Sequence, residues 1–573
     1  RPYTSRIRSM RQGSGCCGTT PARAVQSTSG LPSTMGTNLA FDRLEDLMEN
    51  AIQSIKNGRA HLLPGDAINP DPFRSRMDLD LEYVLDLREQ YLLQNYYLEA
   101  GIGSFFGLRE DEPYYKGWES PTSQLRGHFL GHWLSAAALL YSATGDERLK
   151  SKADYVVSEL KKCADQNGGQ WAAAIPTKYL DWAAAGKPVW APHYTIHKLL
   201  MGLIDMYRLM NNTVALTLAE GMADYLYQWS GRFSPEEMQN LLDVETGGMM
   251  EAFADLYTLT GKQRDLKLME RYAHTRLFDR LLRGEDALSN QHANTTIPEV
   301  HGACRAYEVT GDEKWRRIAE AYWNAAVNQR DAFVTGGQTH GEFWTAQSGL
   351  EYRIGYKNQE HCTVYNMIRL ADYLYRWTGE KSYQDYIERN LYNGVLAQCF
   401  WTGYGDKFGL HSSFTHGRIE KTNVTYFLPL GYGAKKLWAT PTDNFYCCHG
   451  SAVQACASFD RWIYYTNRDT VIVNQYIDSE YAEDWKKIRL VRNKRLDLPN
   501  RPAFWQFDLK VSGGRFPLKL RIPDWVAGKA SVYLDGDEIP YATADGYAVL
   551  DQEWTGQTVS IVFPIAVTRY KIP

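Results

Sequence analysis

From about residue 128 onward, apolar residues recur at helical spacing in runs that close on one signature. "HWLSAAALLY" leads into YSATGD (141–146) and "GGMMEAFADLY" into YTLTGK (257–262), while YEVTGD (307–312) and YRWTGE (375–380) close two more. Weaker copies are YRLMNN (207–212) and YYTNRD (464–469). A second amphipathic run follows, as in "ERLKSKADYVVSELKKC" or "EKWRRIAEAYWNAAV". Tyrosine thus ends a first helix, Thr-Gly stops it, and the acidic residue opens the next. Six such hairpins, spaced roughly 50 to 90 residues apart, predict an (α/α)6 toroid over residues 41–470 with the first helix of each pair inside.

Near residue 470 the period changes. "TVIVNQYI", "FWQFDLKV", "FPLKLRIP", "KASVYLDG" and "TVSIVFPI" alternate apolar and polar residues between Gly, Pro and Asp. They predict an antiparallel β-sandwich domain over 471–573, and a mainly α chain overall. The last strand reaches Pro573 without a closing element, so a longer natural chain is expected. Residues 1–40 are basic, then Ser/Gly/Thr-rich, and are expected to form a disordered, processed or appended tail. Cys16 and Cys17 fall in that tail and are set aside.

Composition narrows the function classes. The net charge of −4, without a long basic run, argues against a nucleic-acid partner. No apolar run approaches the roughly 20 residues of a membrane span. A soluble protein is expected, with the compartment open between bacterial cytoplasm and periplasm or exterior. Nine scattered cysteines do not form a secreted disulfide framework. Seventeen Trp and 38 Tyr suit sugar stacking and a large core equally.

Candidate chemistry follows from the repeat register. Counting back from each hairpin tyrosine, the first helices carry His132, His197, Glu251, His301 and Cys362 toward their N-terminal ends. In a ring of parallel inner helices those ends surround one mouth, the signature of a binding pocket. Taken singly, each histidine is as readily a satisfied core residue. "GHFLGH" sets His128 and His132 on one helix face, suited to a metal or, preferably, to sugar contact. "QEHC" sets Glu360 and Cys362 at a helix entrance, and "FYCC" sets Cys447 and Cys448 ahead of another. Three thiols and a carboxylate suit zinc, but the spacing matches no zinc-finger pattern, so buried apolar cysteines stay open as the alternative.

These stretches, with "GWESPTSQLRGHFLGHWLSAAALLYSATGD", "WAPHYTIHKLLMGLIDMY", "HANTTIP" and "TGGQTHGEF", resemble the bacterial β-L-arabinofuranosidases of glycoside hydrolase family 127 and the related family 146. The resemblance implies an (α/α)6 barrel with β-sandwich modules. It also implies a zinc ion held by Glu360, Cys362, Cys447 and Cys448, with Cys447 as nucleophile and Glu342 of "HGEF" as general acid/base. Sugar-contacting histidines are expected on the inner helices: His197 matches best, and His128, His132, His292 and His301 are further candidates. After the cysteine pair the family commonly reads Thr-Gly-(Thr/Ser)-Gly, whereas this chain reads "HGSAVQ", adding His449 beside the nucleophile as a residue that tunes it or selects the sugar.

The expected activity is retaining, exo-acting release of L-arabinofuranose, β-linked, from plant glycans, with a homodimer entertained as the assembly. Two alternatives stay beside it. One is another (α/α)6 glycan-active enzyme, such as a polysaccharide lyase or unsaturated-uronyl hydrolase, and the other a non-catalytic carbohydrate-binding protein with structural zinc. Neither needs Glu342 together with a Glu-x-Cys and a Cys-Cys pair.

Overall fold

The computed structural model describes residues 51–55, 58–65, 71–102, 114–244, 247–399, 424–493 and 504–569. The N-terminal tail with Cys16 and Cys17 lies outside the described residues.

Among the described residues, the ring of the first domain is built from twelve of its helices, with shorter helices in the connections: α1 (Pro72–Asp86), α2 (His128–Thr144), α3 (Glu147–Gln166), α4 (Pro192–Met210), α5 (Thr213–Ser230), α6 (Met249–Thr260), α7 (Gln263–Arg271), α8 (Ala293–Thr310), α9 (Glu313–Trp323), α10 (His361–Thr378), α11 (Lys381–Asn390) and α12 (Cys447–Cys456). Helices α2, α4, α6, α8, α10 and α12 each pack on the next, and α12 returns to α2, closing a six-membered inner ring. The partners α3, α5, α7, α9 and α11 lie outside, each against the inner helix it follows.

The repeated signature is the physical hinge of each hairpin. Gly145, Gly261, Gly311 and Gly379 take left-handed φ of 65 to 72°. Each returns its N–H to the carbonyl of the signature tyrosine, Tyr141, Tyr257, Tyr307 and Tyr375. Asn211 plays the same part after Tyr207, since asparagine tolerates that conformation. Thr144, Thr310 and Thr378 hydroxyls donate to carbonyls four residues back and accept the N–H of Asp146, Asp312 and Glu380. Asp146 and Asp312 then cap the following helices through Arg148 N and Lys314 N.

The sixth expected hairpin is not helical. YYTNRD forms strand β5 (Tyr464–Asn467) and a tight turn at Arg468 and Asp469, after the two short strands β1 (Gln53–Ser54) and β2 (Ala60–Leu62) and the hairpin β3 (Thr339–His340) and β4 (Phe343–Trp344). Tyr-Tyr-Thr before the β-branched "TVIV" of β6 (Thr470–Val473) favours a pleated pair over another helix turn. The outer position beside α12 is filled from the other end of the chain by α1, which packs on both α12 and α2.

β6 opens a β-rich second domain that continues through β7 (Ser479–Glu483), β8 (Lys486–Asn493), β9 (Phe504–Arg521), β10 (Ser531–Leu534), β11 (Asp537–Ile539), β12 (Ala542–Ala544) and β13 (Tyr547–Pro564). The pairing is antiparallel except between β6 and β9, which run parallel, contrary to the all-antiparallel expectation. The intervening β7 and β8 give the chain length to return in the same direction. "FWQFDLKV" and "FPLKLRIP" are one 18-residue strand, β9, joined through Gly513 and Gly514. A Cβ on Gly513 would stand 1.9 Å from Trp485 O, so only glycine fits that close crossing. β13 pairs with β9 along its length and shifts register opposite those glycines.

The two domains meet on α11. Arg521, fully buried, is paired with Asp385 and Glu388, and Trp525 Nε1 donates to Glu388 Oε2 at 2.9 Å. No helix among the described residues is long and apolar enough to cross a membrane.

Candidate active site

Two neighbouring inner helices bring the cysteines together. Glu360 is the N-cap of α10 and Cys362 its second residue, while Cys447 and Cys448 open α12. Gln359 (φ 50°) and Phe445 (φ 46°) approach these helix starts in the left-handed region, both buried. Glu342 (φ 74°) does the same in the turn between β3 and β4. Each such non-glycine residue costs about 1–3 kcal/mol, a strain that collects at functional sites. Most other left-handed non-glycine residues are Asn or Asp in turns.

The four predicted ligand atoms of Glu360, Cys362, Cys447 and Cys448 are buried and lie within 4.8 Å of one another, a set that can hold a metal ion. Cys362 Sγ is 3.6 Å from Cys448 Sγ, Cys447 Sγ is 3.9 Å from Cys448 Sγ, and Cys447 Sγ is 3.6 Å from Glu360 Oε1. Burial pushes the Cys447 and Cys448 thiols well up. Burial, with the nearby Cys447 and Glu342, pushes the Glu360 carboxyl up as well. Burial would also raise Cys362, but hydrogen bonds from the other two thiols and from Ser451 bring it down to about 7. Four acids crowded into one dry site ask for a cation.

Glu342 reaches this cluster through a residue that the sequence did not mark. The Tyr426 hydroxyl donates to Glu342 Oε1 and lies 3.4 Å from Cys447 Sγ. Glu342 itself is partly exposed and its backbone carbonyl accepts from Ala293 N. His292, the N-cap of α8, stands beside it in a bridge to Phe343; burial lowers its pKa while Glu342 opposes the shift.

The remaining histidines divide into groups. A single Tyr194 hydroxyl stands between His128 Nδ1 (3.3 Å) and His132 Nε2 (3.5 Å). His128 Nε2 donates to Phe445 O at 2.9 Å, tying α2 to the loop that delivers the cysteines. His132 Nδ1 donates to Gln454 Oε1 at 2.7 Å. Burial holds His128 near pKa 3 and His132 well below its usual range, so both are neutral rings. His197 and His301 instead flank Glu251, at 3.9 and 3.8 Å from its Oε2. His197 and Glu251, with Arg369, line a polar cavity of about 320 Å³ inside the ring. His301 is the ninth residue of α8, deeper than the mouth, and its Nε2 donates to Asn366 O.

Four residues of the departure "HGSAVQ" have assigned contacts. His449 Nε2 donates to Thr440 O at 3.1 Å and its ring packs against Phe445 and Tyr446. Burial lowers it to about 4. A Cβ on Gly450 would come within 2.2 Å of the His132 ring, so glycine makes room for it. Ser451 Oγ is 3.1 Å from Cys362 Sγ and 2.8 Å from His361 Nδ1, and Gln454 orients His132. Sequence reasoning missed Tyr426, Tyr194 and Lys198; the latter two share the "HYTIHK" run with His197, at i and i+4 on α4.

Comparison with known proteins bears on the fold and the family. The family described as "Beta-L-arabinofuranosidase, GH127 catalytic domain" matches residues 67–461, and its "GH127 middle domain" matches 470–565. Among solved structures, a GH127 beta-arabinofuranosidase shares 18% identity at a TM-score of 0.61, covering 90% of this chain and 81% of its own. A GH127 β-L-arabinofuranosidase from Geobacillus stearothermophilus T6 shares 19% at 0.61, covering 87% of this chain and 82% of its own. A third, described as a glycoside hydrolase, shares 17% at 0.60, covering 91% and 79%. No curated protein sequence matches. With a helical ring, a β-rich second domain and the family's two domains matched in order, the chain belongs to the GH127 β-L-arabinofuranosidase family and is a glycoside hydrolase.

Proposed function

We propose that the protein is a retaining exo-glycosidase that releases β-linked L-arabinofuranose from plant glycans, with a zinc-held Cys447 as nucleophile and Glu342 as acid/base. The observation that carries this reading is the contact of one hydroxyl, Tyr426 Oη, with both Glu342 and Cys447. Two hydrogen bonds through one oxygen keep the pair about as close as the two groups of a retaining glycosidase, about 5–5.5 Å.

The donor set supports zinc. Thiolate–zinc bonds of about 2.3 Å put two sulfurs of a tetrahedral site about 3.8 Å apart. The Sγ–Sγ separations of 3.6 and 3.9 Å bracket that edge. Bound zinc supplies the charge that keeps these thiols ionised at neutral pH.

The chain's own residues then account for both steps. Cys447 Sγ attacks the anomeric carbon, forming the S–C1 bond as the C1–O bond breaks, and the departing oxygen takes the proton of Glu342. Glu342, now a carboxylate, removes a proton from water; the water oxygen bonds C1, the S–C1 bond breaks and the thiolate returns. Two inversions leave the configuration retained. The Tyr426 hydroxyl orients Glu342 throughout, and His128, His132 and His197 offer neutral rings for sugar hydroxyls.

Metal analysis of wild type and Cys447→Ser, with hydrolysis of p-nitrophenyl β-L-arabinofuranoside, tests the reading. About one zinc per wild-type chain and near-complete loss of activity in Cys447→Ser are expected. Metal-free active wild type, or undiminished hydrolysis by Cys447→Ser, overturns it. Glu342→Ala should lose about 10²–10⁴-fold, with recovery by azide on an activated leaving group. Equal loss on every leaving group would instead mark Glu342 as structural.

A further inference from the structure

Lys198 is a buried cation for which none of the hydrogen bonds among the described residues provides an acceptor; it is 7% exposed. It is the seventh residue of α4, one place past His197. Its backbone is fixed where α4 crosses α2: a Cβ on Gly131 would meet the Lys198 carbonyl at 2.1 Å, and one on Gly202 would meet Gly131 O at 2.3 Å. The side chain reaches the centre of the ring. Its charge interacts with groups on all six inner helices: Cys362 and Arg369 on α10, Cys447 on α12, Glu251 on α6, His301 on α8, His128 and His132 on α2, and His197 on its own helix. Burial lowers its pKa to about 8, which leaves it mostly protonated at neutral pH.

The neighbouring cation, Arg369, is spent on Glu251 Oε1. Lys198 has the face of the Tyr194 ring, 5.0 Å from Nζ, which offers no lone pair. An ammonium presents three donors, and those of Lys198, without a protein acceptor, are open to a ligand or to water. Such a group persists in a fold where something else fills its donors.

We propose that Lys198 is the hydroxyl anchor of the sugar site, donating to a ring hydroxyl of the furanose held over Cys447 and thereby selecting the sugar. This rests on the glycosidase reading above. The hydroxyls of a furanose are acceptors the ammonium lacks, and the Tyr194 ring beneath it, whose hydroxyl stands between His128 and His132, sets the anchor among the sugar-facing histidines, within the field of Cys362 and Cys447. Lys198 would distinguish a sugar carrying that hydroxyl from one without it, as buried polar groups do when left unpaired.

The test pairs substitution with substrate deletion. kcat/KM is measured for wild type and Lys198→Met on p-nitrophenyl β-L-arabinofuranoside and on its 2-deoxy and 3-deoxy analogues, with zinc content and calorimetric binding of L-arabinose alongside. Wild type should lose about 10- to 100-fold on one analogue, the range for a hydrogen bond to a charged group. Lys198→Met should lose a similar factor on the parent sugar, lose nothing further on that analogue, bind L-arabinose more weakly and keep its zinc. Losses that multiply on both analogues, or a fall in zinc content, would reduce Lys198 to a counter-charge for the thiols and overturn the proposal. If Lys198→Met does not fold, Lys198→Gln carries the same comparison. Wild type inactive on every arabinofuranoside overturns the functional reading and the anchor together; an active wild type with multiplying losses overturns the anchor alone.

Discussion

Tyr426 shows what a single side chain contributes at this site. Its hydroxyl proton goes to Glu342 while its oxygen lies 3.4 Å from Cys447 Sγ, so one group links the proposed acid/base to the proposed nucleophile. Tyr426→Phe removes the hydroxyl and keeps the ring against Phe427 and Tyr446. The expected result is a kcat about 10²-fold lower, zinc content unchanged and thermal stability within about 1 kcal/mol of wild type. Unchanged kcat would show that Glu342 needs no such partner. Nothing in the sequence announces Tyr426, because it sits in irregular backbone where neither a 3.6 nor a 2.0 period applies. Glu360, Cys362, Cys447 and Cys448 were legible for the opposite reason: they stand at helix starts, and unusual residue types there are visible against the apolar run that follows. His449 was legible as a departure from the family pattern, but its direction was not, since the left-handed Phe445 sets the entry of α12 and the imidazole ends on Thr440 O.

At the scale of the element, the hairpin signature was legible because its chemistry is local. In YSATGD a left-handed Gly, a Thr bonding back and an acidic cap act within six residues, so that copy carries its own evidence, and YEVTGD repeats the full set. The false sixth copy shares the tyrosine and threonine but lacks the glycine, and its β-branched neighbours decide for strands. The parallel β6–β9 pair was not legible, since it depends on residues about 47 apart, Val471 with Leu518. Gly145 and Gly261 have no atoms within 4 Å of an added Cβ, so substitution there tests backbone conformation alone. Gly145→Ala and Gly261→Ala should each destabilise the fold by about 1 kcal/mol. Gly145→Asn should cost less, because Asn211 already serves in the equivalent cap with φ 57°. Denaturant midpoints check both; equal losses for Ala and Asn would deny the left-handed cap its role.

For the whole molecule, the question is how a ring of helices and a bent sheet come to share one stability. Arg521 at the end of β9 is fully buried, and its guanidinium is divided among Asp385, Glu388 and the Asn474 carbonyl. Asp385 and Glu388 belong to α11, the outer partner of the helix that carries Glu360 and Cys362. Breaking such a pair from one side leaves carboxylates buried without their counter-charge, at about 3–5 kcal/mol. Arg521→Met should therefore lower the denaturant midpoint, and the loss should appear first in the β-rich domain. Lys381 still pairs with Asp385 and Trp525 with Glu388, so the barrel keeps part of its compensation. Adding Glu388→Gln to Arg521→Met removes one stranded charge and should recover part of the loss, a non-additivity that marks direct contact. Strictly additive losses would mean that Arg521 acts by packing rather than charge. Hydrolysis at 25 °C should change little in either variant, because the cysteine cluster and Glu342 are held by α10, α12 and the β3–β4 turn and touch neither Arg521 nor its partners.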